Sequence, residues 1–179
     1  MKCPRCKTQD LKPAIIEEHL PALGCPGCEG SLVSLVYYRH WAETQKPPAE
    51  AGVDDITLSI ETSDTTNAIM CPKCSRVMMK YKLTGTISNR LDVCALCEEA
   101  WLDRGEWQLL QALQLSHVMP TIFTETWQRR IRHELIEDRR LSLLVQMIGE
   151  PGVARVDEFR TWLIDNEHKL DIVAYLNRA

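Results

Sequence analysis

CPKCSRVMMKYKLTGTISNRLDVCALC, residues 71–97, holds two Cys-x-x-Cys turns, Cys71/Cys74 and Cys94/Cys97, with nineteen residues between them. Two residues between cysteines let a tight turn aim both sulfurs at one point. A hairpin of roughly 15–20 residues then sets a second such turn opposite the first. Four sulfurs close a tetrahedron, and structural zinc takes four ligands with no open position. The same pattern stands earlier in the chain, at Cys3/Cys6 and Cys25/Cys28, with eighteen residues between the pairs. All eight cysteines are thereby used. The expected cofactor is Zn²⁺, two ions per chain, with iron as the other metal that four thiolates accept.

Three of the four turns read Cys-Pro-x-Cys, at Cys3-Pro4-Arg5-Cys6, Cys25-Pro26-Gly27-Cys28 and Cys71-Pro72-Lys73-Cys74. Proline fixes φ there and suits a knuckle whose remaining amides point at sulfur. Cys3 to Cys71 is 68 residues and Cys28 to Cys97 is 69, so the chain contains an internal duplication. Short hairpins cannot fold on apolar burial alone, and metal supplies the deficit, roughly 10–16 kcal/mol for finger-sized modules.

The expected fold class is small α+β and zinc-dependent: two tandem four-cysteine ribbons followed by an α-helical C-terminal region. The first ribbon is expected over residues 1–42, including a β-prone run Leu32–Tyr38. Residues 43–69 read as a linker with Pro47-Pro48, in which Ile56, Leu58 and Ile60 alternate as in a short strand. The second ribbon with its helix covers 70–117, with strands near 77–83 and 87–93. Residues 118–179 are helical by periodicity: Phe123, Trp127, Ile131 and Leu135 recur every four residues. Gly149-Glu150-Pro151-Gly152 reads as a helix stop.

Cys71-Pro72-Lys73-Cys74, then Cys94-x-x-Cys97 and Trp101-Leu102-Asp103-Arg104-Gly105-Glu106, together resemble the bacterial transcription-factor-IIB-type zinc-ribbon family over residues 71–110, with a degenerate copy at 1–41. The resemblance implies zinc at Cys71, Cys74, Cys94 and Cys97 and leaves activity open. Glu98-Glu99 departs from the glycine-containing turn usual there, and the first ribbon lacks the Trp-Leu-Asp-Arg-Gly-Glu segment. Read as sequence, Asp103 is an N-cap for a following helix, Glu106 completes a capping box, and Trp101 packs on the ribbon. The competing reading makes these three residues a binding surface.

The formal net charge is −4 with neutral thiols. Four thiolates and one Zn²⁺ leave −2 at each site, which takes the loaded protein to about −8. Such a protein has no general attraction to nucleic acid. The best local patch is Arg129, Arg132, His133, Arg139 and Arg140 on one side of a helix, against Glu134, Glu137 and Asp138 nearby. The five histidines (19, 40, 117, 133 and 168) show no metal spacing among themselves.

No Gly-x-Ser-x-Gly, phosphate-cradling glycine loop or His-Glu-x-x-His occurs, so a non-catalytic protein is expected. No run of 18 apolar residues and no signal-peptide core occur, so a cytoplasmic protein with no membrane partner is expected. The functional expectation is recognition, transcription-related or nucleic-acid-binding. One alternative is a protein-interaction adaptor or assembly factor, supported by the acidic charge and the tryptophans at 101, 107, 127 and 162. Another is a thiol redox or metal sensor. A homo-oligomer through the helical C-terminal region is a further expectation.

Overall fold

The computed structural model describes residues 1–45 and 60–178. They form two units, Met1–Arg132 and His133–Ala179. The first is built on one six-stranded antiparallel sheet in the order β1-β2-β3-β6-β5-β4. The first ribbon contributes β1 (Lys12–Glu17), β2 (Leu20–Gly24) and β3 (Ser31–Ser34); the second contributes β4 (Met79–Lys82), β5 (Arg90–Cys94) and β6 (Glu99–Leu102). The ribbons are therefore two halves of one sheet, joined where β3 pairs with β6. Leu32 and Trp101 pair directly at this seam. Each lies four residues beyond the last cysteine of its ribbon, so equivalent residues of the duplicated halves meet at a local pseudo-two-fold axis.

The strands alternate their side chains between two faces. On one face Leu20, Ala22, Val33, Leu91, Val93, Ala100 and Leu102 enter a core shared with helices. On the other, Leu11, Leu32, Ile69, Met78 and Trp101 pack among cysteines of both ribbons.

Each ribbon runs from its last strand into a helix. In the second, β6 leads to α2 (Glu106–Ala112); in the first, β3 leads to α1 (Leu35–Thr44). The β-prone run Leu32–Tyr38 is thus a strand only to Ser34. Leu35, Tyr38 and Trp41 are buried three residues apart, a helical period that outweighs the strand preference of Val36, Tyr37 and Tyr38. Trp41 meets Trp107 edge-on at 5.4 Å and stacks on His117. The Tyr38 hydroxyl donates to the Ser116 carbonyl at 2.7 Å and accepts from the Met119 amide at 3.0 Å, tying α1 to the chain after α2.

Pro120 sits in the first turn of the short α3 (Met119–Ile122), a position that needs no amide donor. The first turns of α4 (Glu125–Ile164) then cover the edge of the sheet at β4. Gln128 both donates to the Lys82 carbonyl and accepts from its amide, and Trp127 Nε1 donates to the Leu83 carbonyl. An exposed strand edge is a template for unwanted pairing, and these side chains occupy it.

The second unit is helical. Gly149 breaks α4 with a left-handed backbone (φ 73°, ψ 163°), and Pro151 follows in the first turn of the next arm. The helix stop read at Gly149–Gly152 is this break. The two arms face each other, with Leu141 and Leu144 opposite Val156 across a shared cleft. After them comes α5 (Lys169–Leu176). Among the described residues no helix is long and apolar enough to cross a membrane. The strand expected around Ile56 and Leu58 lies outside the described residues.

Candidate metal centres

Cys3, Cys6, Cys25 and Cys28 form one group, and Cys71, Cys74, Cys94 and Cys97 form a second; within each, all sulfurs lie within 4.8 Å of one another. The closest Sγ–Sγ separations are 3.7 Å for Cys3–Cys28, 3.9 Å for Cys6–Cys25 and 3.6 Å for Cys74–Cys94. A tetrahedron with metal–sulfur bonds of about 2.3 Å has edges of about 3.8 Å. A disulfide needs about 2.05 Å. The sulfurs are therefore spaced for a shared cation rather than for a covalent bond, and the two groups fit two zinc ions per chain.

The backbone of each knuckle explains this convergence. The residue just after each pair is left-handed: Lys7 (φ 60°), Glu29 (φ 58°), Ser75 (φ 59°) and Glu98 (φ 51°). In three knuckles that residue's amide donates back to the carbonyl of the first cysteine, as Lys7 to Cys3, Glu29 to Cys25 and Ser75 to Cys71, at 2.8–2.9 Å. The turn also aims amides at sulfur. The Cys6 amide donates to Cys3 Sγ at 3.3 Å. The amides of Gly27 and Cys28 serve Cys25, and those of Lys73 and Cys74 serve Cys71. Glu98 takes this strained conformation at the point where the sequence departs from a glycine-containing turn.

The thiols share negative charge unevenly. Burial pushes Cys3 and Cys28 up to about 11. Cys97 is raised to about 12, first by its hydrogen bond with Cys74. Cys25 is brought down to about 7 because the Cys28 and Gly27 amides outweigh its burial, and Cys74 to about 7 chiefly through the Arg76 amide. Four thiolates at this spacing repel one another, and a dication removes that conflict.

Trp101 joins the two centres. Its side chain is fully buried in the cluster that contains Cys3, Cys25, Cys71 and Cys94. The ring lies against Gly30 of the first ribbon so closely that a Cβ there would stand 2.3 Å from Trp101 Cζ2. Its Nε1 donates to Asp103 Oδ1 at 2.9 Å.

Asp103 does not cap α2. The residue preceding that helix is Gly105 (φ 81°), with no side-chain cap. The Asp103 carboxylate instead accepts from Trp101 and from the Thr65 amide, and lies 3.5 Å from Arg5. Only the reciprocal half of the expected capping box is present: Glu106 Oε2 accepts from the Asp103 amide at 2.8 Å, while its Oε1 accepts from Asn89. The reason is residues 61–66, which cross this segment as a strap. The Ser63 amide donates to the Arg104 carbonyl, Asp64 pairs with Arg90, and the Glu61 carbonyl fills the space where a Cβ on Gly105 would stand. The strap also receives Arg5 from the first ribbon, through Ser63 Oγ. Sequence reasoning missed Arg5, Asn89 and the strap. The one visible signal was the pair Gly30 and Gly105, each spared a side chain for a close approach.

The arginine patch is divided. Arg129 and Arg132 belong to the first unit and both approach Glu125, Arg132 at 2.5 Å. His133, Arg139 and Arg140 belong to the second unit, where Arg140 pairs with Glu137 at 2.8 Å. The neighbouring Arg130 lies over the Trp127 ring. His19 is exposed beside Glu18, and among the described residues the metal-spaced groups contain cysteine only.

The zinc-bearing face of the first unit also carries an apolar groove of about 600 Å³. Pro13, Ile15, Pro21, Leu23, Leu32 and Tyr37 line it, and the Lys73–Glu99 ion pair stands at its rim. The chain matches no family model, no curated protein and no solved structure.

Proposed function

We propose that the chain is a non-catalytic recognition protein whose two zinc ribbons act as one rigid platform and bind another protein. Four thiolates saturate each zinc and leave no position for activating water. The single observation that carries the reading is the groove beside β1. Ile15 and Tyr37 are 73% and 61% exposed there. Their neighbours are apolar, and the only charges, Lys73 and Glu99, neutralise each other. Such a surface suits an apolar peptide segment better than a phosphate backbone. The candidate arginines favour the same choice, since Arg129, Arg132 and Arg140 already face carboxylates. The family resemblance favours a partner associated with transcription.

The test begins with protein purified without added metal, assayed for metal content and co-purifying nucleic acid. Two zinc per chain and no salt-dependent binding to DNA or RNA are expected. Affinity capture is then compared between wild type and Ile15→Glu. Loss of a specific partner in the variant, with zinc content unchanged, supports the groove. Steeply salt-dependent nucleic-acid binding that Arg129→Ala weakens would replace this reading with the nucleic-acid one. Thiol titration separates the redox alternative, because zinc-bound cysteines stay unreactive.

A further inference from the structure

The groove beside β1 has a direction and a charged end. Its lining crosses the sheet from strand to strand: Ile15 on β1, Leu23 on β2, Leu32 on β3 and Glu99 on β6. Three strand spacings of about 4.8 Å make this path about 14 Å long, the reach of roughly four extended residues. It is apolar over β1 and β2, and at β6 the chemistry changes. Glu99 is 3% exposed and holds the Lys73 ammonium, which is 42% exposed, at 2.5 Å. Lys73 lies between Cys71 and Cys74, and Glu99 lies two residues past Cys97, so this ion pair stands on the second metal centre. Four thiolates and one Zn²⁺ leave that centre negative. Tyr37 is exposed and lines the same groove. It follows Ser34 by three residues, and Ser34 pairs with Glu99, so the ring belongs to the charged end.

We propose that the groove takes a short extended segment of a partner protein, apolar across β1 and β2 and carrying a lysine or arginine where it reaches Glu99 and Tyr37. This rests on the groove being the binding site, and it adds the sign of the partner's charge. Three features set that sign. The face of an aromatic ring attracts a cation. The thiolate centre draws positive charge and opposes a carboxylate. The ion pair itself is asymmetric. A partner's carboxylate gains Lys73 only by taking it from Glu99, and a buried charge stripped of its partner is costly. An arriving cation instead meets Glu99 while Lys73, on a flexible four-carbon stem at the surface, turns to solvent. Glu98, the preceding acid, is already held by Arg39 at 2.9 Å, so Glu99 is the carboxylate that the groove presents.

The experiment separates this inference from the reading beneath it. A displayed library of random hexapeptides is selected on full-length, zinc-loaded protein, with Ile15→Glu as the counter-target. The expected winners carry an apolar run next to Lys or Arg. One of them, synthesised with a fluorophore, is then titrated by anisotropy. Glu99→Gln is expected to weaken it about tenfold, through loss of a charge-assisted contact. Tyr37→Ala is expected to weaken it about two- to fivefold. Lys73→Met, which removes the competing ammonium, tightens it. Zinc content reports whether each variant stays folded, and the exposed Tyr37→Ala carries the test if Glu99→Gln loses metal. Winners with an apolar run but an acidic neighbour, or with no preference of charge, overturn the inference, as does binding indifferent to both Glu99→Gln and Tyr37→Ala. In those cases loss of binding in Ile15→Glu still upholds the groove. No enrichment over the Ile15→Glu counter-target overturns both.

Discussion

Gly30 is small because Trp101 occupies its side-chain space. Gly30→Ala forces the indole away from the cysteines of both centres, and overpacking of this kind costs about 1–3 kcal/mol. The expected outcome is a lower chelator midpoint at both sites, read by a colorimetric zinc indicator. Ser75 shows the opposite case. Its left-handed backbone strains any residue with a Cβ, and no sulfur depends on its side chain. Ser75→Gly should stabilise the loaded protein by about 0.5–1 kcal/mol, measured by denaturant unfolding at saturating zinc. Glu106 governs a pH effect. Burial raises its carboxyl from 4.5 to about 8, against the pull of the Asp103 amide and Asn89. The folded state then holds a proton that the unfolded state releases. This group's contribution is fully present below about 4.5 and is lost as pH rises through about 8. Zinc thiolates act in the other direction, since acid releases the metal. The difference between wild type and Glu106→Gln isolates the carboxyl: the variant should gain relative stability from pH 5 to pH 9 in paired urea titrations.

Among the elements, the cysteine spacing made the ribbons and their metal legible, because two-residue loops fix sulfur positions locally. The tail helices were legible through their 3.6-residue period and the Gly149 stop. Three features were not. α1 was hidden because Val36, Tyr37 and Tyr38 favour a strand locally; only docking of Leu35, Tyr38 and Trp41 against the sheet makes them helical. The Asp103 cap was misread because an acid three residues before Glu106 fits a capping box in any isolated helix. The strap at 61–66 claims that carboxylate from nearly forty residues away in sequence. The pairing of β3 with β6 is a long-range event with no local signature. The arginine periodicity spans both units, and Glu125 and Glu137 already hold much of that charge.

At the scale of the whole molecule, both zinc sites share one buried cluster around Trp101, so they should not empty independently. Titration with a strong chelator is expected to release both ions in one cooperative step, with loss of near-ultraviolet circular dichroism in the same range. Cys74→Ser, which weakens only the second site, should lower the affinity of the first as well. Two well-separated release steps would show that the ribbons are thermodynamically separate despite the common sheet. The β3–β6 seam also has a consequence for biosynthesis. The first ribbon can load zinc as soon as residues 3–28 have emerged, but β3 then waits for residues 99–102 with its hydrogen-bonding edge bare. Because the awaited strand is the duplicate of β3 itself, the nearest substitute in a crowded polysome is β3 of a neighbouring nascent chain. Slow translation between residues 45 and 98 would therefore favour swapped, zinc-loaded aggregates over the native fold.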